Sequence, residues 1–155
     1  MNCFFLGGTG NGNKLGREGI VSFAIPDLGV LFKTRHFGSS FECEYISLLA
    51  LLAFIEKNSK MFSQQNIRIY TENPLIVHQI NKRAFCSQDL EPHRDRALSY
   101  KERFYYSINW IPSPENRARE VFFDRPADYK KPKVDSNSFV NSTAEKSSIV
   151  ESLLL

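Results

Sequence analysis

The sequence offers little that would support a disulfide framework, a membrane span or a secretion signal. Its three cysteines, Cys3, Cys43 and Cys86, are odd in number and far apart, which excludes a CxxC metal or redox motif. The longest strongly apolar run, residues 46–55, is about half of the roughly 20 residues needed to cross a bilayer. The N-terminus lacks a basic segment and a long apolar one, so we expect no signal peptide and a cytoplasmic location.

A large net charge is also missing. The formal charge is +3, which by itself does not indicate a nucleic-acid partner. The excess lies within residues 82–119, where eight Lys and Arg stand against five Asp and Glu. Such a region suits contact with phosphates, and a solvated helical face explains it equally.

What is present is typical of one globular domain. The 155 residues suffice for a single core, and 42% of them are hydrophobic. From Lys130 onward the chain becomes rich in Lys, Ser and Asn and has too few apolar side chains to offset ordering entropy. We therefore predict a domain over residues 1–129 and a disordered tail over residues 130–155.

The domain alternates apolar runs with turn signals. Three strands joined by short turns, NCFFL, GIVSFAI and GVLFKTRHF, predict an antiparallel meander. A buried helix follows over residues 44–57. The next segments predict the strand IRIYT and the helix LIVHQINKR, which Pro74 opens. After them come a helix over residues 89–106, the strand INWIP and a last helix from about Pro114. This order predicts an α/β fold with a mixed five-stranded sheet and flanking helices.

The turn GGTGNGNKLG invites comparison with phosphate-binding loops. A Walker A loop has Lys and then Ser or Thr directly after its second glycine, whereas Gly12 is followed by Asn13 and Lys14. The spacing instead favours a flexible hairpin turn. Gly8, Thr9 and Asn11 are the residues of this turn that we expect to touch a nucleic-acid backbone.

Four segments together resemble a known family. They are, in chain order, LGGT in the first strand, ECEYISLLALLAFIE in the first helix, IYTENPLIVHQIN after the fourth strand and WIPSPENRARE after the fifth. In this order they resemble ribonuclease H, type I, particularly its compact bacterial relatives, over roughly residues 1–125. The resemblance implies a ribonuclease H-like fold.

The resemblance also implies a set of site residues. Family members carry an Asp in a TDG motif of strand one, a Glu in the first helix, an Asp ending strand four and an Asp in the last helix, and these hold two Mg²⁺ ions. Matched to the motifs, Gly7 stands at the missing first Asp, Glu44 at the helix Glu, and Glu72 and Glu120 at the two later Asp positions, each one methylene longer. The implied catalytic and metal-binding set is Glu44, Glu72 and Glu120, at a degenerate site.

The implied ligands follow from the family's substrate, which is RNA paired with DNA. One Mg²⁺ or Mn²⁺, bound weakly, is the expected cofactor, since a first carboxylate is missing and Mg²⁺ demands near-ideal geometry. Contacts to an RNA–DNA hybrid are expected from residues along the groove, namely Gly8, Thr9, Asn11, Asn73, Lys82, Arg83, Arg94 and Arg96. No membrane partner is expected.

Each of these residues also has a purely structural explanation. Glu44 fits a charge near a helix N-terminus, Glu72 a turn, and Glu120 a helical pair with Arg117. Trp110, followed by Pro112 and Pro114, is more typical of core and turn than of a residue that stacks on nucleic-acid bases. Three functional classes therefore remain: a nucleic-acid-binding pseudonuclease, an active divergent ribonuclease H that cleaves hybrids by metal-dependent hydrolysis, and a protein-interaction scaffold.

Overall fold

The sheet has five strands in the spatial order β3-β2-β1-β4-β5. The computed structural model of the chain describes residues 1–9 and 17–121. Strands β1 (Asn2–Thr9), β2 (Arg17–Ile25) and β3 (Val30–Gly38) form the antiparallel meander expected from the sequence. Strands β4 (Ile67–Thr71) and β5 (Tyr106–Trp110) run parallel to β1 on its other side. The predicted mixed sheet is confirmed.

Within the described residues, four α-helices connect and flank these strands. They are α1 (Ser40–Lys57), α2 (Ser59–Phe62), α3 (Pro74–Ile80) and α4 (Glu91–Ser99). Within residues 17–121, none of the helices is long and apolar enough to span a bilayer. The cytoplasmic location, the boundary at residue 129 and the disordered tail stay predictions, because the residues that would decide the last two lie outside the described part of the chain.

Helix ends differ from their predicted positions. Helix α1 begins four residues earlier than expected, because Ser39 and Glu42 form a capping box that satisfies free backbone N–H groups at its start. The helix expected over residues 89–106 is α4 followed by a 3₁₀ turn, Tyr100–Glu102. The expected last helix consists of two 3₁₀ segments within the described residues, Ser113–Glu115 and Arg117–Val121.

Helix α1 is the centre of the core. Every residue from Cys43 to Leu52 is buried, including the polar Glu44 and Ser47, as expected of a helix that is apolar on nearly every face. The helix lies so close to β1 that a Cβ atom at Gly7 would collide with the α1 backbone at Cys43 and Glu44. At Gly19 of β2 a Cβ atom would collide with the Cys43 side chain. The start of α1 therefore rests directly on the sheet.

This contact predicts different responses at two neighbouring glycines. Gly7→Ala should lower the free energy of unfolding by about 3 kcal/mol or more, because α1 has to shift away from the strand. Gly8→Ala is the matched control, since its Cβ would meet only the Ser40 hydroxyl at 3.5 Å. Urea denaturation of both variants measures the difference. Equal, small effects would contradict the close contact.

Candidate functional site

The candidate site lies where β1 and β4 separate. The two strands pair only from Asn2 with Arg68 to Phe4 with Tyr70, after which β1 stays with β2 and β4 stays with β5. Open α/β sheets bind their ligands beyond the carboxyl ends of strands at such a change of order. Glu44 of α1 and Asn116, which follows β5, both reach into this gap.

Glu44 is held inside the gap by two hydrogen bonds. Its side chain accepts from the Gly7 backbone N–H at 2.7 Å and from the Thr71 hydroxyl at 2.6 Å. The residue is only 3% exposed. Burial raises the pKa of Glu44 to about 7, although both hydrogen bonds favour the ionised form. Near neutral pH the carboxyl group is therefore only partly charged.

Gly7, which the resemblance places at the first Asp position, lies directly against α1. Position 7 has no room for any side chain, because its Cβ would collide with α1. We therefore propose that Gly7 corresponds to the glycine of the TDG motif and Leu6 to its Asp. Leu6 points to the opposite face of β1 and packs against Ala24 and Ala118 in a small apolar cluster. A carboxylate is missing there as well.

Glu72 is bound by an arginine. The Arg119 Nε donates to Glu72 Oε2 at 2.7 Å, and Arg119 Nη2 donates to Glu72 Oε1. This two-bond contact is the strongest geometry that a guanidinium and a carboxylate form. The Glu72 side chain is 16% exposed and that of Arg119 is 36% exposed. The hydrogen bond to Glu72 raises the pKa of Arg119 further, so the guanidinium stays charged beside the carboxylate.

Glu120 does not join the other two carboxylates. Its side chain is 54% exposed and pairs with Arg117, whose Nε lies 2.5 Å from Glu120 Oε1. Within this 3₁₀ helix, Arg119 and not Glu120 is the residue that contacts Glu72.

A polar network fixes the segment that carries Arg119. The Asn116 side-chain amide donates to the Phe5 carbonyl at 3.1 Å, and its oxygen accepts from the Ala118 N–H at 3.1 Å. The Ser22 hydroxyl lies within hydrogen-bonding distance of the carbonyls of both Leu6 and Ala118. These contacts attach residues 116–119 to β1 and β2, so the sheet holds the backbone that carries Arg119.

The donor set does not fit a pair of divalent cations. Both oxygens of Glu72 accept from Arg119, and both oxygens of Glu44 accept from protein donors. Over residues 1–9 and 17–121, no three Asp, Glu, His or Cys side chains are arranged to hold one ion. A metal at this edge would have to displace a guanidinium already bound there.

Some of the residues expected to contact nucleic acid already have partners within the protein. Asn73 caps α3 through hydrogen bonds from Leu75 and Ile76, and Arg94 pairs with Asp95 at 2.9 Å. Arg96 also has an interaction partner. The remaining candidates are Gly8 and Thr9 at the end of β1 and the exposed Lys82 and Arg83 after α3, while Asn11 lies outside the described residues.

Solved structures share this fold. LC11-RNase H1, isolated from compost by a metagenomic approach, superimposes with a TM-score of 0.66 at 16% identity over 77% of this chain and 90% of its own. LC11-RNase H1 in complex with an RNA/DNA hybrid gives 0.60 at 16% identity over 75% and 88%. RNase H1 from the halophilic archaeon Halobacterium salinarum gives 0.58 at 21% identity over 77% and 91%.

No protein-family model and no curated protein matches the sequence. The structural likeness nevertheless extends over most of this chain and most of each relative. The chain therefore has the ribonuclease H fold, and the resemblance seen in the sequence is confirmed at that level.

Burial of Glu44 predicts how stability depends on pH. The folded state holds the Glu44 proton more tightly than the unfolded chain, so stability should fall as pH rises from about 4.5 to about 7 and level off above it. Glu44→Gln cannot ionise and should lack this component, which is worth roughly 3 kcal/mol. Urea midpoints across this range test it. Glu102→Gln, at an exposed position, is the control, and identical pH slopes for wild type and Glu44→Gln would contradict the raised pKa.

Proposed function

We propose that this protein binds nucleic acid, in the first place an RNA–DNA hybrid, through a ribonuclease H fold whose two-metal chemistry has been lost. The observation that carries the proposal is the Arg119–Glu72 pair. It puts a fixed positive charge beside a carboxylate that the family resemblance assigns to a metal ion.

The charge balance at the gap supports the loss of cleavage. Two divalent ions about 3.5–4 Å apart repel each other strongly and need several anionic ligands between and around them. Here Glu72 is neutralised by Arg119, Glu44 is partly protonated near neutral pH, and position 6 is leucine. Little negative charge is left to hold even one ion.

Binding of a hybrid is supported by the shared fold and by exposed basic residues after α3. A structural relative, LC11-RNase H1, has been solved with an RNA/DNA hybrid. Lys82 and Arg83 are exposed basic residues in the turn after α3 and suit sequence-independent phosphate contact. Several other basic residues of the region are already paired with acids, so we expect moderate rather than tight binding.

The test combines binding and cleavage on one labelled hybrid. Wild type should bind the hybrid in a fluorescence anisotropy titration and leave it intact with Mg²⁺ or Mn²⁺. Lys82→Ala combined with Arg83→Ala should make the slope of log affinity against log salt less steep by about 1.8, since two phosphate contacts are lost.

Restoring the carboxylates provides the converse experiment. Leu6→Asp combined with Arg119→Asp should create Mg²⁺-dependent cleavage, and Leu6→Asn combined with Arg119→Asn, equal in size but uncharged, should not. Cleavage by wild type that Glu72→Gln abolishes would refute the proposal and establish an active nuclease. Absence of binding to any nucleic acid would favour the interaction scaffold instead.

A further inference from the structure

Trp110 is not a core residue. The last residue of β5, it is 53% exposed, contrary to the core or turn position expected from the sequence. Its indole Nε1 donates to the Glu72 backbone carbonyl at 3.1 Å. This hydrogen bond orients a large, half-exposed aromatic ring at the surface.

Arg119 is anchored on the same residue as Trp110. Its Nε and Nη2 are used by the Glu72 carboxylate, and Nη2 also donates to the Ser113 hydroxyl at 3.2 Å. Guanidinium has five N–H donors, so the two on Nη1 are left over, with no partner for them within residues 1–9 and 17–121. The side chain is 36% exposed.

Glu72 therefore anchors two planar groups. Its carbonyl holds the indole of Trp110 and its carboxylate holds the guanidinium of Arg119, so the two groups are separated by no more than one glutamate side chain and its hydrogen bonds. An aromatic face beside a spare guanidinium edge matches the two parts of a nucleotide, because bases stack on aromatic rings and phosphates bind guanidinium N–H groups.

We propose that Trp110 and Arg119 form a binding site for one unpaired nucleotide, with the base stacked on the indole and its phosphate on Arg119 Nη1. The proposal rests on the proposed nucleic-acid function and adds a ligand class to the same edge of the sheet. An unpaired nucleotide is required, because bases inside a duplex have both faces covered by their neighbours. The preferred ligand is therefore a hybrid with a single-stranded overhang rather than a blunt one.

The single tryptophan of the chain makes the test direct. Trp110 is the only source of tryptophan fluorescence, so stacking of a base is seen as quenching at this site alone. An overhang hybrid should quench the emission saturably, whereas a blunt hybrid of the same paired length, and an overhang hybrid with abasic overhang nucleotides, should not. Anisotropy of a label placed on the nucleic acid measures affinity in parallel.

Variants separate the two halves of the site. Trp110→Leu should weaken binding of the overhang hybrid about tenfold and leave the blunt hybrid unchanged, while Trp110→Phe, which can still stack, should stay within about threefold of wild type. Tyr105→Leu, at another exposed aromatic residue, is the control and should change neither affinity. Glu72→Gln combined with Arg119→Gln removes the guanidinium without leaving a bare carboxylate. It should make the salt slope less steep by about 0.7 for the overhang ligand only.

The outcomes distinguish this site from the proposed function as a whole. Equal affinity for blunt and overhang hybrids in every variant, or unchanged Trp110 emission at saturation, would overturn the nucleotide site and leave hybrid binding in place. Failure of all nucleic acids to bind would overturn both. Quenching that is lost with the abasic overhang supports the site.

Discussion

The direct contact between α1 and β1 is the constraint on which the site depends. Because Gly7 has no side chain, the helix approaches the strand closely enough for Glu44 to accept a hydrogen bond from the strand backbone. The same approach removes Glu44 from water and raises its pKa. The ribonuclease H fold thus delivers a buried carboxyl group to the gap between β1 and β4, whatever chemistry the neighbouring residues allow.

What those neighbours allow is decided by the pair of Arg119 and Glu72. A partly buried carboxylate needs a counter-charge, and for Glu72 this counter-charge is the guanidinium of Arg119, a side chain of the same protein. Asn116 and Ser22 hold the segment that carries Arg119 against the sheet, next to Glu72. An arginine also differs from a metal ion in what it offers a ligand: it binds phosphate but cannot activate a water molecule.

The sequence predicted the sheet better than the site. The strands are short runs of β-branched and aromatic residues between clear turns, and IRIYT matches β4 residue for residue. Prediction of the site, in contrast, depended on single residues. Leu6-Gly7-Gly8 contains two glycines in a row, so a motif match cannot tell which of them lies under the helix, and only the space around Cβ decides it.

Arg117–Val121 and Trp110 show the same limit of prediction from the sequence. Arg117–Val121 is a 3₁₀ helix, which places successive side chains in directions different from those of an α-helix, so Arg119 rather than Glu120 faces the gap. Trp110 lies at the end of a strand at the sheet edge, and the run INWIP carries no information about which neighbours will cover it. Both depend on contacts far apart in sequence.

Binding of Mn²⁺, followed through paramagnetic broadening of backbone amide signals, tests most directly whether the arginine has replaced the metal. We expect wild-type protein to show no broadening centred on Gly7, Glu44 and Glu72 at Mn²⁺ concentrations that broaden these signals when Leu6 and Arg119 are both changed to Asp. Selective broadening of the same three amides in the wild type would show that a divalent ion binds beside Arg119 and would contradict the account.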